Sequence, residues 1–413
     1  MQMLHFGKTT KLIVAAVAAL LLVSVALVSV AATASVAAVG NLLVWHYRTL
    51  NLPAPTGPYA VGRAGYDWTD PGRIDLLSDR AGEQRELAVW IWYPASPAAD
   101  ESYAPYLPLA WQAAWNQEQG IGRFIQSDPA SINTYSIADA PVAQNGAGYP
   151  VIIMQPGMGP AAPDYTVYAE NLASHGYVVV GINPAYSSNL IVFPDGRVVR
   201  RTDEGVIPEN AGADDIDKDA ARIGKVWSDD AIFVMDQLQR LNEDAASRFH
   251  NTLDLGHIGL FGHSFGGATA ARVCKTDPRC KAGADLDGTL FSYQAEDTLT
   301  VPFMFMASED CGSDCETMRQ TFAASDSDAY FLMLRGARHF NFSDLPLRLS
   351  PLARLLFRVP GIIGSIRPQR GLTITNTYLL AFFDEYLKGD DTGLLNGTSP
   401  AFPEVEFKSH LAR

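Results

Sequence analysis

A serine flanked by glycines is the strongest chemical signal in this chain. Residues Gly262-His263-Ser264-Phe265-Gly266 have the pattern G-x-S-x-G, which alone is only modestly specific. An apolar run at 257–261 precedes the pattern and a helix-like run follows from Gly267, so the context predicts a strand, a sharp turn and a helix. Such a turn lifts a serine hydroxyl above the edge of a sheet. We therefore predict that Ser264 is a nucleophile, the alternative being a Gly-Ser turn without chemistry.

A serine hydroxyl is a weak nucleophile near neutral pH and requires a histidine base. In proteins with this strand–serine–helix turn, the acid and then the histidine follow the serine along the chain. Of the eight histidines, only His339 and His410 lie beyond a plausible acid. His410 is three residues from the end of the chain, in a polar tail, whereas His339 lies in a loop after the apolar run 330–334. We predict that His339 is the base.

The histidine in turn needs a carboxylate that orients it, and two aspartates compete for this role. Asp287 follows an apolar stretch that could be a strand, and Asp310 follows the apolar run at 301–306. Asp285 would share the side-chain direction of Asp287 on a strand but would lie deeper. The residue pattern alone does not decide between Asp287 and Asp310.

Acyl transfer also needs backbone N–H groups that stabilise the negative oxygen of the tetrahedral intermediate. The amide of Phe265, next to the serine, is one candidate. The loop Gln155-Pro-Gly-Met-Gly-Pro160 follows the apolar run 151–154 and is placed to supply a second. We predict that the amide of Met158 is this donor, the alternative being an ordinary Gly/Pro loop.

The elements that must position these residues are short apolar runs. They lie at 151–154, 177–180, 257–261, 301–306 and 330–334. Continuous apolar runs of this length suit strands that are buried on both faces, as in a parallel sheet. An aromatic run at 87–93 also predicts a strand, which we expect to stop at Pro94.

Helices are predicted between these strands. Apolar residues recur at spacings of three and four between Ile223 and Leu241, and again between Thr373 and Leu387, where Lys388-Gly389 marks the end. Strands that alternate with helices predict an α/β fold with a mostly parallel central sheet and helices on both faces.

Composition limits the class of protein. The chain has 413 residues, a net charge of −14 and 47% hydrophobic residues, and this hydrophobic share is ordinary for a globular protein. The acidic balance argues against nucleic acid as a partner, because a phosphate backbone requires a basic surface. It argues equally against a general attraction to anionic membranes, although a local basic patch is compatible with it.

The amino-terminal segment 1–47 predicts export. No charged residue lies between Leu12 and Tyr47, whereas Lys8 and Lys11 precede this run. About 20 apolar residues span a bilayer, so the run is long enough for a membrane anchor. Ala32-Thr33-Ala34 offers a cleavage site for a signal peptide, and a buried helix is the third interpretation. The lysines favour a cytoplasmic amino terminus, so the two leading alternatives place the rest of the chain outside, either membrane-anchored or secreted.

Past this segment the sequence predicts one catalytic domain. Residues 48–60 are rich in proline and predict a linker, and residues 61–413 form the expected domain. Insertions are expected near 100–148, 187–218 and 343–371. The four cysteines occur as two close pairs, Cys274 with Cys280 and Cys311 with Cys315, which suggests two local disulfides in an oxidising compartment. Zinc is the rival interpretation, but the spacing is poor for it, so we expect no metal and no cofactor.

From about residue 86 onward the chain resembles the secreted, plasma-type platelet-activating-factor acetylhydrolases, which are serine-dependent phospholipases with the α/β-hydrolase fold. The matching stretches are Trp-Tyr-Pro at 92–94, Gly-Met-Gly at 157–159, 173–179, 262–267, Leu-Asp-Gly at 286–288 and 335–342. The resemblance implies that Ser264 is the nucleophile, His339 the base and Asp287, ahead of Asp310, the acid. It also implies oxyanion amides at Met158 and Phe265 and no need for calcium.

The substrate implied by this resemblance is a phospholipid with a short sn-2 acyl chain. A general carboxylesterase or polyester hydrolase is the first alternative, because a fold does not fix its substrate. A second alternative is an inactive hydrolase fold that acts as an extracellular binding module. The residues do not indicate an oligomeric state.

A cationic and apolar stretch follows the predicted base. Between Asp344 and Asp384 no acidic residue occurs, but five arginines alternate with leucines and isoleucines: Arg348, Arg354, Arg358, Arg367 and Arg370. One interpretation is a helix and loop that pack on the core with solvated arginines. The other is that residues 345–370 form a lid that touches lipid, with guanidinium groups at phosphate.

Overall fold

The computed structural model describes residues 8–97, 101–208, 211–291, 298–309, 311–312 and 314–412. Asp310, the alternative acid, lies outside the described residues. The helices are α1 (Lys8–Tyr47), α2 (Leu109–Gln119), α3 (Thr166–Ser174), α4 (Ala213–Glu243), α5 (Phe265–Thr276), α6 (Asp314–Ala323), α7 (Leu345–Arg348), α8 (Pro351–Arg358) and α9 (Pro368–Phe383). The strands are β1 (Leu50–Asn51), β2 (Ala60–Ile74), β3 (Gln84–Ala95), β4 (Ile132–Asn133), β5 (Ser136–Ala138), β6 (Tyr149–Gln155), β7 (Val178–Asn183), β8 (Leu190–Val192), β9 (Val198–Arg200), β10 (Leu253–His263), β11 (Cys280–Leu286), β12 (Phe303–Ser308), β13 (Ala329–Leu334) and β14 (Val405–His410).

The centre of the fold is a ten-stranded sheet with the order β14-β13-β12-β11-β10-β6-β7-β3-β2-β5. The six neighbouring strands from β13 to β7 run parallel to one another. β14 and β3 are antiparallel to their neighbours β13 and β7, and β2 is antiparallel to β3. The fold is therefore the predicted α/β class with a mostly parallel central sheet.

Alternate residues of β6 show why the parallel strands are continuously apolar. Ile152 and Met154 belong to one core cluster, which α3 and α9 cover with residues such as Tyr168 and Phe382. Val151 and Ile153 belong to the cluster on the opposite face, which α4 and α5 cover. Because both faces are buried, neither set of alternate positions can be polar.

Pro94 is a correction to the sequence prediction. We expected the aromatic strand to stop at this proline, but β3 continues to Ala95, and Pro94 pairs with Val61 of β2. The neighbour on the other side, β7, pairs with β3 only from Ala88 to Trp92. The proline thus lies beyond the two-sided part of the strand, where a missing N–H is tolerated.

The carboxyl ends of the parallel strands carry the predicted site. Ser264 follows β10, Asp287 follows the adjacent β11, and His339 begins a short 3₁₀ turn after β13. The loop with Met158 follows β6, the other neighbour of β10. Since all these strands are parallel, the four positions lie at one edge of the sheet.

The first helix ends against this domain. Its last 25 residues, Val23–Tyr47, are long and apolar enough to cross a membrane. Near its end, His46 is buried and its Nδ1 lies 2.7 Å from the carbonyl oxygen of Gln126. In the predicted linker, Leu52 is buried and Thr56 donates a hydrogen bond to Asn171, so this segment packs on the domain surface.

The cysteine pairing agrees with the prediction from spacing. One disulfide joins Cys274 of α5 to Cys280, where β11 begins, and the other joins Cys311 to Cys315 at the start of α6. Both disulfides join residues that are close in sequence, and each closes a short loop next to the central sheet.

Candidate active site

Ser264 lies on a strained turn. Its φ is 56° and its ψ is −126°, a backbone conformation that residues other than glycine rarely adopt. Glycines on either side allow this turn, because a Cβ on Gly262 would lie 2.2 Å from the carbonyl carbon of Gly266. A Cβ on Gly266 would in turn lie 2.3 Å from the carbonyl oxygen of Pro156. The G-x-S-x-G pattern therefore has a steric cause at each glycine.

The three predicted side chains form one chain of hydrogen bonds. Nε2 of His339 lies 2.9 Å from Oγ of Ser264, and Nδ1 of His339 lies 2.8 Å from Oδ2 of Asp287. Residues separated by 75 and 52 positions along the sequence thus meet at hydrogen-bonding distance. This is the arrangement in which an imidazole can accept a proton from a serine hydroxyl. The other candidate base, His410, is the last residue of the edge strand β14.

Asp287 is fixed on both sides. Its backbone N–H donates to the carbonyl oxygen of Met306, and its Oδ1 accepts a hydrogen bond of 2.6 Å from the N–H of Ser308. Burial alone would raise the pKa of Asp287. The hydrogen bond and charge of His339, together with the Ser308 N–H, outweigh burial and hold the pKa of Asp287 below its ordinary value. The carboxylate is therefore ionised and can stabilise a protonated His339.

Asp285 has a different environment. It is fully buried, its Oδ1 accepts a hydrogen bond from the N–H of Gly288, and its Oδ2 has no partner among the described residues. Burial raises the pKa of Asp285 well above its ordinary value, so this carboxyl is neutral. It packs behind the turn, where a Cβ on Gly267 would lie 1.8 Å from Oδ1. Asp285 thus packs against and supports the turn that carries Ser264.

Two residues near the site had no predicted role, Tyr165 and His263. The N–H of Gly157 donates to the Tyr165 hydroxyl at 3.0 Å, and this hydroxyl lies 2.7 Å from Nδ1 of His263. Nε2 of His263 lies 2.9 Å from the backbone carbonyl oxygen of His339. Burial, followed by the nearby charge of His339, lowers the pKa of His263 to about 3, so this ring is neutral. The sequence signal for His263 was its place beside the serine, whereas Tyr165 had none.

The loop after β6 packs directly against the serine. A Cβ on Gly157 would lie 3.2 Å from Cβ of Ser264. The N–H of Gly157 donates to the hydroxyl of Tyr165, and the N–H of Gly159 donates to the carbonyl oxygen of Ser187. Among the described residues, the N–H of Met158 has no acceptor. Phe265 is the first residue of α5, and the first N–H groups of a helix have no partner inside the helix.

Two cavities open beside this group. One has a volume of about 620 Å³ and a polar lining that includes Ser264, Ser308, His339 and Arg358. The other has a volume of about 380 Å³ and lies against the Met158 loop. Aromatic and apolar side chains form much of its wall: Leu107, Trp111, Trp115, Phe340 and Leu345. In the part of the chain that the structure describes, no three His, Cys, Asp or Glu side chains are grouped to hold a metal ion.

Comparisons with known proteins show what this chain is similar to. A family model described as "Platelet-activating factor acetylhydrolase, isoform II" matches residues 46–192 and 236–394. A probable 1-alkyl-2-acetylglycerophosphocholine esterase of Arthroderma benhamiae is 24% identical over 386 residues, which cover 86% of this chain and 93% of the relative. A platelet-activating factor acetylhydrolase of Bos taurus is 24% identical over 385 residues, which cover 84% of this chain and 83% of the relative.

A solved structure shows the same architecture. The ferulic acid esterase from Streptomyces cinnamoneus superimposes with a TM-score of 0.71 and is 26% identical, covering 87% of this chain and 99% of its own. The relatives and this neighbour are all named as esterases or acetylhydrolases. The chain is thus an ester hydrolase with the α/β-hydrolase fold, and it belongs to the platelet-activating factor acetylhydrolase, isoform II, family.

Proposed function

We propose that this hydrolase removes short acyl groups from the sn-2 position of phospholipids of the platelet-activating-factor type, with Ser264 as nucleophile. The observation that carries the proposal is the chain of two hydrogen bonds from Ser264 through His339 to Asp287, at 2.9 and 2.8 Å. The activities named for the relatives support the substrate class.

The first half-reaction forms an acyl-enzyme. Oγ of Ser264 attacks the ester carbonyl carbon while Nε2 of His339 takes the hydroxyl proton, and ionised Asp287 stabilises the imidazolium. The N–H groups of Met158 and Phe265 bind the negative oxygen of the tetrahedral intermediate. When the carbon–oxygen bond to the alcohol breaks, His339 returns the proton to the leaving oxygen, which releases the lysophospholipid.

The second half-reaction restores the enzyme. Water attacks the acyl carbon, His339 accepts its proton, and the same two amides bind the new oxyanion. Collapse of this intermediate breaks the bond to Oγ of Ser264, which regains its proton from His339, and releases a short carboxylic acid.

A second candidate is an esterase for aromatic acyl groups. The neighbour of known structure is named a ferulic acid esterase, and the smaller cavity is lined by Trp111, Trp115 and Phe340. Aromatic rings favour a flat acyl group by stacking. A wider carboxylesterase or polyester hydrolase activity would use the same serine chemistry.

The proposed location is outside the cytoplasm, with α1 as a membrane anchor. Val23–Tyr47 has the length and composition of a membrane-spanning helix, and the lysines before it favour a cytoplasmic amino terminus. Two disulfides suit an oxidising compartment. Cleavage of this segment would release the same catalytic domain as a secreted enzyme.

The lid interpretation of residues 345–370 is supported for one face of α8. Leu347, Leu349 and Ile363 are buried in the core, but Leu355 and Leu356 are 60% and 58% exposed, and the following Val359 is 86% exposed. Val359 also lines the larger cavity. We propose that this exposed face contacts the acyl layer of a membrane next to the mouth of the site.

Covalent labelling and a substrate panel test the proposed function. A fluorophosphonate probe is expected to label the wild type and not Ser264→Ala. The panel compares a phospholipid with an sn-2 acetyl group, a long-chain phospholipid, a feruloyl ester and nitrophenyl esters of graded length. The proposal expects the first substrate to have the highest kcat/KM. A preference for the feruloyl ester would favour the second candidate, and a wild type that does not label would refute the role of Ser264.

A further inference from the structure

The direction in which the alcohol leaves follows from the position of His339. The same Nε2 that accepts the serine proton must deliver it to the leaving oxygen, so the alcohol lies on the His339 side of Ser264. The cavity on this side is the larger one, at about 620 Å³, and His339 and Ser264 are both in its wall. The smaller cavity lies on the side of the oxyanion loop. The large cavity therefore receives the alcohol and the small one the acyl group.

Charge distinguishes the larger cavity. Arg358, the last residue of α8, lines it, and within the described part of the chain no carboxylate lies within 4.0 Å of its guanidinium. Asp287 also lines this cavity, but its two oxygens are bound by His339 and Ser308. Among the described residues, no carboxylate therefore supplies a counter-ion to this cation.

Two other arginines of the same segment have carboxylate partners. Arg348 forms an ion pair with Asp164, and Arg370 forms one with Glu404. Burial and the positive charges of Arg358 and Arg48 lower the pKa of Arg354, which indicates an excess of positive charge around α8. In a chain of net charge −14, such a local excess attracts anions.

The guanidinium of Arg358 is also held in place. Its Nε donates to the carbonyl oxygen of Gly364 at 3.1 Å, and Nη2 donates to that of Ser365 at 3.4 Å. These bonds hold the group beside Gly364 and Ser365, while the side chain remains exposed. A guanidinium fixed in this way matches the geometry of phosphate oxygens.

We propose that Arg358 is the phosphate-binding residue of the leaving-group subsite, so the enzyme selects esters whose alcohol carries a phosphodiester. In a glycerophospholipid the phosphate is attached to the carbon next to the one that bears the sn-2 oxygen. A leaving oxygen at His339 therefore brings the phosphate into the same cavity as Arg358. This inference rests on the proposed function and names the part of the substrate that the site recognises.

The test compares two esters that differ only in the phosphocholine group. The probes are 1-butyl-2-acetylglycero-3-phosphocholine and 1-butyl-2-acetylglycerol, which are monomeric in water and have the same acyl group. We expect Arg358→Gln to lower kcat/KM for the phosphodiester substrate about tenfold, as for the loss of a hydrogen bond to a charged group, and to change that for the neutral ester less than about twofold. Arg358→Lys keeps the charge but not the paired donors of the guanidinium. Its kcat/KM for the phosphodiester substrate should lie between that of the wild type and that of Arg358→Gln.

Arg367→Gln is the matched control. Arg367 is exposed and belongs to the same segment, but it does not line the cavity. Its replacement by glutamine removes one positive charge, as Arg358→Gln does. Equal losses on both esters in Arg358→Gln, no loss at all, or the same selective loss in Arg367→Gln would each overturn the subsite and leave the proposed function intact. A wild type that hydrolyses the neutral ester but not the phosphodiester one would reject the phospholipid function together with the subsite.

Discussion

The backbone carbonyl oxygen of His339 lies 2.9 Å from Nε2 of His263, so the residue beside the proposed nucleophile is hydrogen-bonded to the proposed base. A carbonyl oxygen only accepts, and therefore Nε2 of His263 carries the hydrogen. Its Nδ1 is then the acceptor for the hydroxyl of Tyr165, which itself accepts from the N–H of Gly157. One neutral imidazole thus links the loop of the proposed oxyanion amide to the proposed base.

Removing the Tyr165 hydroxyl should impair turnover more than binding. Tyr165→Phe leaves the N–H of Gly157 and Nδ1 of His263 without partners in a buried place, which costs roughly 1–3 kcal/mol for each group. Because the loop and the base then lose their mutual positions, we expect kcat to fall about tenfold or more with little change in KM. Steady-state kinetics on a soluble acetyl ester measures both.

Tyr378→Phe is the control for this experiment. Tyr378 is also a buried tyrosine, but its hydroxyl has no hydrogen-bond partner among the described residues. A similar fall in kcat in both variants, or a rise of KM alone in Tyr165→Phe, would show that the network does not position the reacting groups.

The two neighbouring aspartates should differ sharply in their effect on rate. Asp287→Asn keeps the shape of the side chain but removes the charge that stabilises imidazolium and fixes its tautomer, so we expect kcat to fall by about 10³–10⁴. Asp285 is already neutral and accepts one hydrogen bond, which an asparagine can also accept, so Asp285→Asn should retain most of the activity. Asp310→Asn tests the alternative acid, and a loss there as large as in Asp287→Asn would contradict the assignment.

The depressed pKa of His263 predicts a loss of stability in acid. The folded-state pKa is about 3 and the ordinary value is 6.5, so between these values the unfolded chain binds the extra proton. The contribution of this histidine is present in full above pH 6.5 and is lost as the pH falls toward 3. From pH 7 to pH 5 it should lower the free energy of unfolding of the wild type by about 2 kcal/mol.

His263→Gln isolates this contribution. The variant loses hydrogen bonds, so we expect a lower free energy of unfolding than that of the wild type at pH 7. Because the glutamine side chain cannot be protonated, the difference in free energy of unfolding between the two proteins should narrow by about 2 kcal/mol at pH 5. Urea unfolding in detergent at pH 7, 6 and 5 measures the gap, and other buried groups such as Asp285 cancel in the difference. A constant gap would mean that His263 binds protons equally in both states.

Much of the site could be predicted because local patterns and the order of residues along the chain fix it. The sharp turn at Ser264 is encoded by close glycines, and His339 lies in the loop that follows the buried strand β13. The pattern could not separate Asp287 from Asp310, since both follow apolar runs. The choice came from the resemblance, and the hydrogen bond between Asp287 and His339 depends on β11 lying beside β10, which local sequence does not state.

Contacts between distant residues were the part that the sequence could not reveal. Tyr165 and His263 are 98 positions apart, and no local signal marks a buried tyrosine as a hydrogen-bond bridge. The arginines after His339 looked alike in the sequence. Only the fold separates Arg348, which pairs with Asp164, from Arg358, which lines the cavity.

The exposed leucines of α8 should matter only when the substrate is in an aggregate. Leu355→Ser/Leu356→Ser removes two side chains that are 60% and 58% exposed on α8, and transfer of such groups into lipid stabilises the contact by about 1 kcal/mol or more each. We therefore expect kcat/KM on a micellar phospholipid to fall about tenfold or more, while a soluble short-chain ester is hydrolysed as before. Leu76→Ser, which alters a leucine that is also 60% exposed, controls for loss of apolar surface in general. Equal losses on both substrates would mean that these leucines support the fold of the site, and no loss on micelles would mean that lipid does not reach this face.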